Sequence, residues 1–126
     1  MSLRSPLGKV LGSGSAKDGT AHFFAQRVSG VGLLLLGLWF VCSLLSLPGF
    51  SHAEALQFIA QPLNGVVLVL LVVTLAYHSF LGTQVVIEDY VHSHGLKLLS
   101  LVASRFAHVF LAVAAVYAVI KIGMSP

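Results

Sequence analysis

Polar and apolar residues are segregated along this chain into long blocks, with no alternation and no short internal repeat. The first polar block is rich in Gly and Ser and carries Arg4, Lys9, Lys17 and Arg27. An apolar block then runs from about Val28 to Leu47 and stops at Pro48 and Gly49, residues that end helices. A second runs from about Leu63 to Ile87 and a third from about Leu98 to Ile120. Each reaches the roughly 20 residues that a helix needs to cross a hydrocarbon core. The pattern predicts an all-α integral membrane protein with three transmembrane helices. Between the first two spans, Ser51-His52-Ala53-Glu54 has the spacing of a capping box. It predicts a short helix over about 52–60, with Leu56, Phe58 and Ile59 holding it at the outer membrane surface and Pro62 ending it.

Composition agrees with this pattern. The chain has 126 residues, of which 57% are hydrophobic and 9% charged, against about 25% charged in soluble domains. Its length fits one domain, a membrane anchor over 1–126 with a flexible tail over 1–20. Within that tail GSGSAK, at 12–17, is a linker, because its spacing is wrong for a phosphate-binding loop and no strand precedes it. The first apolar block exceeds the core of a secretory signal, so Ser51-His52-Ala53 is not read as a cleavage site. Basic residues concentrate before the first span and are absent between the first and second. This bias puts the N-terminus in the cytoplasm, the 50–62 loop outside, the 88–97 loop inside and the C-terminus outside. Cys42 is the one cysteine, so an intrachain disulfide is excluded. Without a C-x-x-C-H motif, any haem is held non-covalently, as a b-type haem. The absence of a P-loop, a zinc-ligand cluster and a G-x-S-x-G elbow argues against hydrolytic chemistry by this chain alone.

The second span holds the candidate chemistry. His78 lies in its apolar interior, and Glu88, Asp89 and Tyr90 close it. Ionisable groups inside a membrane are costly and mark functional sites. His78 sits roughly 13 Å above the inner end of the span. With no cysteine, glutamate or aspartate at that depth the residues argue against a bare metal cage, whereas a haem iron needs only one or two axial ligands. At about 100° per residue, the eleven residues from His78 to Asp89 make three turns plus about 20°. If the helix continues to residue 89, His78, Gly82, Val85 and Asp89 share one face. Gly82 then leaves room for a flat macrocycle one turn from the histidine. Asp89 and Tyr90 lie roughly 16 Å below it, at the water boundary, where aspartate can relay protons and tyrosine can donate to a carbonyl oxygen. The residues also allow a plainer reading, in which His78 hydrogen-bonds a neighbouring helix and the Glu-Asp-Tyr run is a solvated helix end.

The spacing His78-x-x-x-Gly82, Gln84-Val85, Asp89-Tyr90-Val91 resembles the signature of the D-type membrane anchors of succinate dehydrogenase, respiratory complex II. Gln26-Arg27-Val28-Ser29-Gly30, ahead of a span containing Leu38-Trp39-Phe40, is similar to that family as well. The related C-type anchors share the Arg-x-Ser-Gly element but lack the Asp-Tyr ending. The resemblance covers the three-span plan and most of residues 22–120. It implies a subunit of succinate:ubiquinone oxidoreductase in a bacterial inner membrane, the mitochondrial inner membrane being the alternative. It implies a C-type anchor, an iron–sulfur subunit and a flavoprotein as partners. It also implies that His78 is one axial ligand of haem b with the partner anchor supplying the other, that Tyr90 hydrogen-bonds ubiquinone, and that Asp89 lies beside the quinone as a proton relay. Two roles stand for Arg27: a haem propionate or pocket-wall contact, and a positive-inside anchor.

Other polar positions have alternatives of their own. His108 lies roughly 15 Å into the third span, matching His78 in depth. That makes an intrachain bis-histidine haem conceivable, against a hydrogen bond to another helix or a haem substituent. Arg105 either snorkels to the inner interface or meets a propionate. His92, His94 and Lys97 form a solvated inner loop, with proton uptake or a contact to the iron–sulfur subunit as the other role. His22 and His52 carry no signal. Three functional rivals remain beside the succinate-oxidising anchor. One is the anchor of a quinol:fumarate reductase. Another is a small proton-coupled transporter without haem, with His78 and Asp89 as its relay. The third is a purely structural anchor whose haem site is vestigial.

Overall fold

The computed structural model describes residues 18–124. The linker at 12–17 and the rest of the tail up to residue 17 lie outside the described residues. Four helices follow one another: α1 (Asp18–Leu45), α2 (His52–Ala60), α3 (Pro62–Tyr90) and α4 (His94–Gly123). Helices α1, α3 and α4 are each long and apolar enough to cross a membrane.

Helix ends depart from the edges of the apolar blocks for identifiable reasons. Helix α1 starts about ten residues before its apolar block. Polar Thr20, His22, Gln26 and Arg27 cost helix propensity little, and no proline interrupts them. It stops short of Pro48, with Ser46 N–H on the Cys42 carbonyl at 3.1 Å. Helix α2 starts on the expected capping box: Glu54 N–H donates to Ser51 Oγ at 3.2 Å, and Ser51 N–H donates to Glu54 Oε2 at 2.9 Å. The Ser51 hydroxyl also donates to that oxygen at 2.8 Å. These donors favour the carboxylate and hold the Glu54 pKa below its ordinary value of 4.5, the backbone N–H of Ser51 contributing most. Pro62 opens α3 at a position where a missing N–H costs nothing. Asn64 Nδ2 donates to the Phe58 carbonyl at 2.9 Å and ties α2 to this first turn. At the other end, Lys97 Nζ donates to the Glu88 carbonyl at 2.8 Å, placing a cation on the C-terminal turn of α3.

Helix α3 is the middle member of the three long helices. Helices α1 and α4 pack on it from different sides, and their backbones nowhere come close to each other. Helix α1 runs antiparallel to α3: Gln26 lies beside Gly82, while Gly32 lies beside Thr74. Trp39 of α1 stacks on Phe58 of α2, with ring centroids 6.1 Å apart. Among the described residues only Leu68, Leu81 and Ser29 are buried. Large apolar side chains such as Leu34, Leu35, Phe106 and Phe110 are exposed. A row of helices with so little interior suits a hydrocarbon solvent or further protein, not water.

Candidate functional site

The site forms where α1 crosses α3. Helix α3 continues to Tyr90, so the helical spacing from His78 to Asp89 holds along its whole length. The His78 ring is half-buried and turned toward α1. Its Nδ1 lies 2.9 Å from Ser29 Oγ, and its Nε2 lies 3.4 Å from the Gln26 side-chain nitrogen. The second distance exceeds the 2.7–3.2 Å of a firm N–H bond. Ser29 Oγ donates to the Gln26 carbonyl at 3.1 Å. A Cβ on Gly30 would meet His78 Cε1 at 3.4 Å, and one on Gly82 would meet the Gln26 amide at 3.6 Å. Two glycines on opposed helices therefore permit the close approach that brings Gln26 and Ser29 to the imidazole.

Gln26 and Ser29, which the sequence offered only as part of the Gln26–Gly30 resemblance and without a role, thus join His78 and Gly82 in one site. Beside them, His22 Nε2 and Gln26 Oε1 are buried without a hydrogen-bond partner. His22, Gln26 and Ser29 follow at i, i+4 and i+7, one face of a helix. That polar stripe on an otherwise apolar span was the available signal.

Asp89 and Tyr90 are exposed at the end of α3, Tyr90 by 79%. Glu88 next to them accepts from Gln84 Nε2 at 2.8 Å. Arg27 is exposed, with its guanidinium carbon 4.9 Å from the centroid of the Phe23 ring, a cation–π contact on α1 itself. It is not among the side chains that touch His78. His92 and His94 are exposed, and Lys97 is half-buried on the Glu88 carbonyl.

His108 lies on the α4 side of α3, apart from His78. Its Nδ1 meets the Ser104 carbonyl at 2.8 Å and its Nε2 meets Ser79 Oγ at 3.1 Å. Both ring nitrogens are engaged, and the link to Ser79 is the hydrogen bond to another helix that was one alternative for this residue. His78 and Ser79 diverge by about 100° around α3, so the two histidines serve different faces. Arg105 is exposed beside Phe80, 5.5 Å from its ring centroid. Among the described residues no three His, Cys, Asp or Glu side chains gather as a metal site.

The family described as "Succinate dehydrogenase/Fumarate reductase transmembrane subunit" matches residues 1–120. The chain is similar to a succinate dehydrogenase hydrophobic membrane anchor subunit of Rickettsia bellii, 32% identical over 92% of this chain and 93% of that one. A protein of the same description from Rickettsia conorii is 39% identical over 71% of each chain. Another from Paracoccus denitrificans is 31% identical over 90% of this chain and 87% of its own.

Proposed function

From the premise that this chain belongs to the succinate dehydrogenase/fumarate reductase transmembrane subunit family, we propose that it is the D-type anchor of a succinate:ubiquinone oxidoreductase, contributing one axial ligand to haem b and part of the quinone-reduction site. The observation that carries this reading is His78. It is an imidazole held inside the apolar length of α3, fixed at Nδ1, with only a long amide contact at Nε2.

The residues present fit a haem better than a bare ion. A bare ion needs several ligands from this chain, and none gather around His78. A haem needs one axial nitrogen here and a second from a partner, which the reading assigns to a C-type anchor. Gly30 and Gly82 let α1 close on α3, so that the Gly30 backbone lies against the ring and the Gln26 amide lies over Gly82; a haem at Nε2 would need the Gln26 side chain to swing aside. When bound, haem b supplies a one-electron carrier between the iron–sulfur subunit and the membrane. Gln26 would give up only a long contact, 3.4 Å, if Nε2 of His78 were to hold the group. Arg27, exposed near the start of the apolar block, can turn its guanidinium from Phe23 to a propionate or to the pocket wall.

At the end of α3, Tyr90 donates its phenolic hydrogen to a ubiquinone carbonyl, and Asp89 passes protons from the cytoplasmic phase. The flavin and the iron–sulfur ligands belong to the partner subunits. The relatives, all described as succinate dehydrogenase subunits, favour succinate oxidation over fumarate reduction, and they are bacterial, which favours a bacterial inner membrane. The test is a dithionite-reduced minus oxidised spectrum of the complex isolated through a tag on this chain. A b-type haem signal that disappears or shifts in His78→Leu supports the assignment. An intact complex with no haem signal removes the ligand role from His78.

A further inference from the structure

We infer that Ser29 is a positioning residue for His78: its hydroxyl selects the ring tautomer with the proton on Nδ1, so that Nε2 is the nitrogen offered to iron. This rests on the haem reading above and deepens it. The argument follows the hydrogens. A serine hydroxyl has one hydrogen, and a backbone carbonyl can only accept. Ser29 Oγ lies 3.1 Å from the Gln26 carbonyl, which takes that hydrogen. Toward His78 Nδ1, 2.9 Å away, Oγ therefore acts as acceptor, and Nδ1 carries the proton. A neutral imidazole has one N–H, so Nε2 is left with a lone pair.

Burial makes the selection firm. Ser29 is 8% exposed, so water does not compete for its hydroxyl. Gly30 brings the backbone of α1 to the ring edge, where even a methyl group would touch Cε1 at 3.4 Å. His108 shows the contrast. Its Nδ1 meets a carbonyl where that of His78 meets a hydroxyl, and its Nε2 is occupied by the Ser79 hydroxyl at 3.1 Å. Between His78 and His108, only His78 is held by a hydroxyl at one nitrogen and met by no more than a long amide contact at the other. A hydrogen bond at the remote nitrogen fixes a ligating imidazole and raises its basicity, and losing it costs about 10–100-fold in metal affinity.

The experiment compares the complete wild-type complex with complexes carrying Ser29→Ala, Ser29→Thr and His78→Leu. It reads haem retained per complex through detergent washing, the g-values of the ferric haem by electron paramagnetic resonance, and the haem midpoint potential. Recovery of the partner subunits through a tag on this chain reports assembly. Ser29→Ala is expected to assemble, to hold haem about 10–100-fold more weakly, and to show altered g-values and a raised potential, because a less basic ligand stabilises ferric iron less. Ser29→Thr, which keeps the hydroxyl, is expected to stay close to wild type. Wild-type retention, g-values and potential in Ser29→Ala, with haem lost in His78→Leu, overturn the role of Ser29 alone. A Ser29→Thr complex that assembles but is as altered as Ser29→Ala also overturns it. A wild-type complex without haem overturns both this inference and the haem reading.

Discussion

Gly30 and Ser29 act on the same ring in different ways, one by having no side chain and the other by having a hydroxyl. The Gly30 position is 3.4 Å from His78 Cε1, so alanine there is tight and leucine has no room while α1 stays against α3. Gly30→Leu is expected to remove most haem from the complex and Gly30→Ala to leave most of it, as measured by reduced haem absorbance per complex. Tyr90 is exposed, and its hydroxyl has no hydrogen-bond partner among the described residues, which leaves it free to donate outward. A hydrogen bond to quinone of about 1.4 kcal/mol corresponds to a tenfold effect. Tyr90→Phe is thus expected to lower quinone reduction by about tenfold while succinate oxidation with an artificial acceptor persists, since that chemistry belongs to partner subunits. Equal quinone-reduction rates in the two enzymes would remove Tyr90 from the site.

Helix α2 shows how much of an element can rest on one residue pair. Ser51 and Glu54 cap each other, and the Gly49 backbone lies against the Glu54 carboxylate: a Cβ there would come within 2.8 Å of Oε2. That oxygen is held by two donors from Ser51, so moving it aside breaks the cap. Gly49→Ala is expected to fray the first turn of α2, and Ser51→Ala to weaken the helix by about 0.5–2 kcal/mol. Faster amide hydrogen exchange over 52–56 is the readout for both. The same pair sets a pH dependence. The folded pKa of Glu54 lies below its ordinary 4.5, so the stabilisation is fully present above that value and is lost as pH falls through the depressed one. Protection of the α2 amides should therefore be level at neutral pH and decline only in the acid range below 4.5. A decline that sets in above it would point to another group.

As a whole molecule, the chain is a row of helices with its widest apolar surfaces uncovered and with Asp89 and Tyr90 at an open end. A membrane covers the first kind of surface but leaves the second, a polar helix end, to water or to another subunit. Assembly with the other subunits of the complex is expected to slow hydrogen exchange over 91–95 relative to the isolated chain in detergent. Unchanged exchange there would place the partner contact elsewhere on the molecule.

Much of this architecture was legible from the sequence by itself. Three spans, the capped short helix and the isolation of His78 inside an apolar run follow from local rules. Blocks of apolar residues report length against a bilayer, and Ser51 with Glu54 reports a cap whatever surrounds it. The true start of α1 at Asp18 was not legible, because hydropathy marks where lipid ends and not where helical hydrogen bonding ends. Nor were the neighbours of His78 and His108. Periodicity tells which residues share a face of one helix, but not which helix that face meets. Only the crossing of α1 over α3 decided that Ser29 and Gln26 hold His78, and only the packing of α4 on α3 decided that His108 is tied to Ser79. Those contacts join residues 29 or more positions apart in the chain, and no local pattern encodes such a pairing.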